Sequence, residues 1–394
     1  MQFLQRIIKR FSGICLGFLL LWGLFITSTP TAFADGGAPN LAYIAGSKTG
    51  VSVIDIQQQK ITTNFSLPGE PKTIYLSLDG RFLYVTQPTL GRVTMLAAKT
   101  GEQVCHVNVP GQPSLLVVDP YTLMLYAAGN GSANIVEFDP SNCAIKRTLT
   151  TSGPVQGLAA STTNEGSQIW VSNPNGIEVF DKTGSIARFS IPGGAQYICI
   201  PPGPSAYVTT QQGNLYAVSL STYKVSPALL SGGEFGPMDY DAYTLQIYVP
   251  DRKNQRIDVL KPVTLATTIP QEPDRTINTQ GAPQSIAITS DGQYGFIALA
   301  DGKVVMLDVL AREIINTFSV GGSPQFVITG LYPPVLGTTP QQASILGTVV
   351  NIAAYALIGA IIIVLLLFIV RRSRAAAREE EKEERDKAEA LPGE

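Results

Sequence analysis

From Leu41 to Thr329 the chain reads as short apolar runs separated by polar turns, with no stretch of helical period. Residues 71–112 show the unit. PKTIYLSLDG is a strand ending in Asp79-Gly80, RFLYVTQ is a second, RVTMLAAKTG a third and EQVCHVNVPGQ a fourth. Asp-Gly and Lys-Thr-Gly supply the turns, because Gly accepts the positive φ of a tight hairpin. The last strand of the unit recurs as FSLPGEP at 65–71, FSIPGGA at 189–195 and FSVGGSP at 318–324. Alternation there places Phe189 and Ile191 on one face and Ser190 on the other.

Two independent markers repeat through this region. An aromatic opens the second strand at Tyr43, Tyr84, Tyr126, Trp170, Tyr207, Tyr248 and Phe296, in steps of 41, 42, 44, 37, 41 and 48. A residue after a turn opens each unit: Pro71, Pro113, Pro154, Ala195, Pro237, Pro283 and Pro324. Four short strands every ~42 residues is the size of a propeller blade. The region starts at a second strand, residues 41–45, and ends on an unpaired first strand, residues 324–329. The pattern therefore predicts an all-β fold, a seven-bladed β-propeller closed by a C-terminal strand that completes the first blade. A β-sandwich array would lack this offset between start and end.

The second strands YVTQ at 84–87, YVTT at 207–210, YVPD at 248–251 and WVSN at 170–173 resemble the YVTN-type propeller repeats of bacterial and archaeal surface proteins. The segments SLDGRFLYV and TSDGQYGFI resemble that family's Ser-x-Asp-Gly turn and following strand. The resemblance covers the seven repeats and neither end. It implies a seven-bladed ring in an exported, surface or periplasmic setting, and no common activity. Blades 3 and 5 depart most from it, at Tyr126-Ala127-Ala128 and Pro201-Pro202.

The ends have a different pattern. Arg6, Lys9 and Arg10, an apolar run from Ile14 to Ile26, and Ala32-Phe33-Ala34 make residues 1–34 a secretory signal peptide cleaved before Asp35. Residues 35–330 are then the propeller ectodomain, and LYPPVLGTTPQQAS, 331–344, a Pro-rich stalk. Residues 345–370 are uncharged and mostly apolar, longer than the ~20 a helix needs to cross a bilayer. Arg371, Arg372 and Arg374 follow, which assigns the charged tail, 371–394, to the cytoplasm. The expected topology is a single-pass cell-membrane protein with an extracytoplasmic ring.

Composition narrows the chemistry. Net charge is −2, so no basic face offers itself to nucleic acid. His106 is the only histidine, which makes a His-ligated haem, a multi-His metal site or a Ser-His-Asp triad with a spare base hard to build; on an outer fourth strand it is expected to face solvent. Asp55, Asp139, Asp181 and Asp308 recur where the third strand ends and read as turn caps. Of the three cysteines after the leader, Cys199 lies on an inner strand as a small hydrophobe. Cys105 and Cys143 fall on adjacent outer strands, and divergence of neighbouring blade edges makes their pairing the lesser expectation.

No catalytic residue, metal ligand or cofactor site is assigned. The one irregularity is blade 6, whose repeat is longest. Its extra residues are placed in 271–281, between the fourth strand and the next first strand, beside the basic loop 251–256. Arg252, Lys253, Arg256, Asp274 and Arg275 are therefore the candidate binding residues, on one face of one blade. The leading function is a cell-surface module, expected to be monomeric, that binds a protein, peptide or glycan. The alternative is an extracytoplasmic lactonase-like hydrolase with channel carboxylates holding a metal. A receptor that relays ectodomain state to the tail is weaker, since no catalytic domain follows the tail.

Overall fold

In the computed structural model, residues 41–331 are described except 164–165 and 266–268, together with 371, 374, 375, 378, 379 and 382. The last six positions are helical and exposed. The segments expected to be the leader and the membrane span lie outside the described residues. Among the described residues no helix is long and apolar enough to cross a membrane.

Residues 41–330 form seven four-stranded antiparallel sheets. Blade 1 is closed by the two ends of the region: Phe326–Gly330 is its innermost strand, followed by Leu41–Ser47, Gly50–Asp55 and Lys60–Ser66. Leu41 pairs with Gly330 and Tyr43 with Ile328, as the sequence offset predicts. This seals a ring that would otherwise expose two strand edges.

The repeating aromatics are fully buried; Tyr43, Trp170, Tyr207, Tyr248 and Phe296 have no exposed surface. The core is seven clusters, each shared by two adjacent blades. Between blades 1 and 7, Ala42, Ile44 and Ile54 pack on Phe296, Met306 and Phe318. On the other side of the same strand, Tyr43 and Ala45 pack with Leu83 and Val85 of blade 2. Period-two alternation thus sends successive residues of one strand into two different interfaces. Middle strands are buried on both faces, whereas the outer fourth strand Gln103–Asn108 buries only Val107. His106 is exposed there.

Side chains stitch neighbouring blades where first strands meet. The Thr73 hydroxyl donates to Ser114 O at 2.6 Å, and Val327 N–H donates to Ser285 Oγ at 3.1 Å. The third-strand aspartates are turn caps: Gln58 N–H donates to Asp55, Ser141 N–H to Asp139, Thr183 N–H to Asp181 and Ala311 N–H to Asp308, all at 2.7–2.9 Å.

Two expectations need correction. Cys105 and Cys143 are disulfide-bonded, with Cα atoms 6.2 Å apart. Cys143 takes φ +59° in the turn that Asp139 caps, and this turns it back toward the fourth strand of blade 2. The outward divergence of strand edges does not apply to a residue in a turn. In blade 6 the fourth strand is Arg275–Asn278, which pairs with Arg256–Leu260. The extra residues therefore lie between the third and fourth strands, at 261–274. That connection is on the opposite face of the ring from the loop carrying Arg252.

Candidate functional site: the channel mouth

Each first strand begins at the face that carries the second-to-third-strand loops, and its opening residues converge on the ring axis. They enclose a cavity of about 490 Å³. Lys72, Ser114, Gln156, Gln196, Met238, Gln284 and Gln325 enter it from the seven first strands in turn, and Asn130, Gln211 and Arg252 from second-to-third-strand loops. The lining carries two cations and no carboxylate or histidine. Leu41 and Gly330, by contrast, sit at the far ends of their strands, so the chain enters and leaves the ring at the face away from this mouth.

The amides are held in place. Gln211 Nε2 donates to Gln156 Oε1 at 2.9 Å, joining the mouths of blades 4 and 5. Gln325 Nε2 donates to Ser323 Oγ at 2.7 Å and Gln284 Nε2 to Ala282 O at 3.2 Å. Close approach of blade 4 to blade 5 depends on Gly157: a Cβ there meets Gln196 O at 2.1 Å. The Ser172 hydroxyl donates to the same carbonyl.

Arg252 is the centre of the arrangement. Its guanidinium stands over the Tyr197 ring, 5.9 Å from the centroid, a cation–π contact. Nη2 donates to Gln284 O at 3.5 Å, and Nη1 is 3.9 Å from Glu234, whose side chain is 67% exposed. The Arg252 side chain is only 18% exposed, and its Nε is buried with no hydrogen-bond partner. Gly236 makes room: a Cβ there meets Gln284 O at 2.7 Å and Arg252 Nη2 at 3.4 Å. Tyr197 and Gln284 share one further feature. The first strands of blades 5 and 7 are the two with a register irregularity against their second strands, at 195–198 and 283–285. Such bulges re-aim a side chain, and here both flank Arg252.

The other four candidates do not join it. Lys253 is exposed and donates to Gly232 O at 2.9 Å. Arg256 turns back onto its own blade, 2.8 Å from Asp258 and 3.9 Å from Asp251. Burial raises the Asp258 carboxyl to about 6, against the opposing pull of Arg256. Arg275 donates to Gln246 Oε1 at 2.9 Å and the Tyr248 hydroxyl at 3.0 Å, and Asp274 pairs with Lys261 at 3.1 Å, both at the opposite face. The mouth glutamines were missed in the sequence, although Gln196, Gln284 and Gln325 each follow a repeat marker directly.

Carboxylates do occur deeper in the ring. Asp239, on the first strand of blade 6, accepts Ile288 N–H at 2.8 Å; burial pushes its carboxyl up to about 7. Burial likewise raises the Cys199 thiol to about 12, so it stays protonated, a packing residue. Among the described residues no three His, Cys, Asp or Glu groups are placed to hold a metal ion.

No protein-family model matches the sequence, and no curated protein is similar to it. Solved structures share the fold. A putative 6-phosphogluconolactonase from Bacteroides uniformis superposes with TM-score 0.61 at 14% identity, over 73% of this chain and 99% of that one. One from Bacteroides fragilis gives 0.61 at 12%, over 76% and 99%. Apo AztD from Citrobacter koseri gives 0.57 at 12%, over 74% and 97%. At these identities the likeness establishes a seven-bladed propeller and nothing finer.

Proposed function

We propose that the chain is a membrane-anchored binding module of the YVTN-repeat type, which takes a polar ligand at the channel mouth of an extracytoplasmic propeller. The observation that carries the binding reading is the lining of the mouth: amides, hydroxyls and two cations, with no carboxylate or histidine. Ligand sites combine a concave pocket with a few placed polar groups, and about 490 Å³ falls within their usual ~300–1,000 Å³.

The leader at 1–34, the stalk at 331–344, the span at 345–370 and the cytoplasmic tail at 371–394 belong to the same proposal. The Cys105–Cys143 disulfide supports export, because such bonds persist in oxidising compartments. A chain that leaves the ring at the face away from the mouth supports display of that mouth to partners outside the cell.

A lactonase-like hydrolase is the second reading, favoured by the two neighbours bearing that putative name. The lining of the mouth offers that reading no carboxylate, histidine or thiolate to hold a metal. The test is to probe detergent-solubilised full chain on glycan and peptide arrays beside Gln196→Trp, which fills the cavity. Retention by the wild type and loss in the variant supports the binding module. A stoichiometric divalent metal with lactone hydrolysis would transfer the assignment to the hydrolase.

A further inference from the structure

We infer that the channel mouth selects a hydroxylated organic anion, an acidic or phosphorylated sugar of about one or two rings, with Arg252 as the anion-binding residue. This rests on the reading of the mouth as the binding site.

Three observations converge. First, Arg252 is short of acceptors. A guanidinium carries five N–H donors; here one makes a 3.5 Å contact to Gln284 O, Glu234 stands off at 3.9 Å, and Nε has no partner although it is buried. A buried donor without an acceptor is costly. Nη1 also has no acceptor within hydrogen-bond distance, so a carboxylate or phosphate oxygen entering the cavity meets a free donor of the guanidinium, whose fork geometry suits either group. Second, the arginine is preorganised. Tyr197 and Gln284, delivered by the two bulged first strands, hold it from two sides, so little side-chain freedom remains to be lost on binding. Third, the sign of the site is opposite to that of the chain. Lys72 and Arg252 enter the lining without any carboxylate, in a protein of net charge −2.

The hydroxyl requirement comes from the remaining groups. Gln156, Gln196, Gln211 and Gln325 present amides that both donate and accept, as sugar hydroxyls do.

The test titrates detergent-solubilised full chain with glucuronate, glucose 6-phosphate and glucose by ligand-observed NMR. Both anions are expected to bind at least about tenfold more tightly than glucose, the range for one charge-assisted hydrogen bond. Arg252→Gln should abolish that preference, and Arg252→Lys should keep part of it. Lys253→Gln, in the same loop but bonded to Gly232 O, should change nothing. If Arg252→Gln lowers the unfolding midpoint, Lys72→Gln provides the second reading and should also weaken both anions. Equal binding of all three sugars, lost in Gln196→Trp, would overturn the charge selection while leaving the mouth as the site. Retention of array ligands by Gln196→Trp would overturn the mouth itself. If only one of the two anions prefers the wild type, the selection stands and the anion is thereby identified.

Discussion

Cys105, on the outermost strand of blade 2, is bonded to Cys143 in the capped turn of blade 3, so a covalent link crosses between two blades at the rim of the ring. Apart from the main chain that runs from one to the other, these blades meet through non-covalent contacts, among them the Val107–Phe138 cluster and the Tyr84 hydroxyl donating to Pro140 O at 2.7 Å. The bond closes a segment of 38 residues. A loop of that size limits the unfolded chain by about 3–4 kcal/mol in the chain-entropy account. Cys143→Ser should lower the unfolding midpoint by several degrees, and reductant should lower the wild type to the same value. A thiol titration of unreduced, unfolded protein spanning residues 35–344 should find Cys199 alone. A midpoint indifferent to both treatments would remove the bond from the stability of the ring.

Asp239 makes stability depend on pH. Its carboxyl titrates at about 7 in the folded ring, against 3.8 ordinarily, because it is buried beside Asp241. Between about pH 4 and 7 the folded state holds a proton that the unfolded chain has released. Stability is therefore greatest below that window and falls as pH rises through it. Asp258, raised to about 6, acts with the same sign. Asp239→Asn retains an oxygen for Ile288 N–H and removes the titration. The variant should gain on the wild type at pH 8 relative to pH 5, read as the difference in unfolding midpoints. A constant difference at the two pH values would show that Asp239 does not carry the effect.

Blade 4 meets blade 5 at the mouth most closely at Gly157, whose missing side chain lets it lie against Gln196 O. Gly157→Ala places a methyl 2.1 Å from Gln196 O and 2.7 Å from Ser172 Oγ, both fixed by the hydrogen bond between them. Overpacking of this kind costs typically about 1–3 kcal/mol. The ring should stay folded with a lower midpoint and a shifted amide signal at Gln196. An unchanged midpoint would mean that the two first strands separate without cost.

The ring was legible in the sequence because its strongest signals are strictly periodic. Tyr43 through Phe296 recur at one position of one strand, and each occupies the same buried place between blades. The site was less legible for reasons that lie outside the period. Arg252 stood out as part of a basic loop, but its direction is set by bulges at Tyr197 and Gln284, which leave no mark on the apolar pattern. Arg275 reads as loop in the sequence because its short strand buries only Ile277; one buried residue gives no alternation to read. The Cys105–Cys143 bond turned on the φ of Cys143, which the period does not specify.

Closure of the ring rests on a strand that begins 279 residues after its neighbour ends, at Phe326 after Ser47. Phe326–Gly330 pairs with Leu41–Ala45, and Val327 also packs in the cluster shared with blade 7. It is tied to that blade by hydrogen bonds as well: Val327 N–H donates to Ser285 Oγ and the Thr329 hydroxyl to Ile288 O, both at 3.1 Å. A chain ending at Ser323 therefore loses one strand but opens two interfaces, since Ala42, Ile44, Tyr43 and Ala45 each lose cover on the inner side. The effect should exceed that of deleting one edge strand from an open sheet: the truncated ring should unfold in more than one step and bind a dye for exposed apolar surface. Restoring residues 324–330 as a separate peptide should recover a single transition, because the strand acts by pairing and packing and not by covalent continuity. A truncated chain that keeps one cooperative transition at the wild-type midpoint would show that six complete blades close without it.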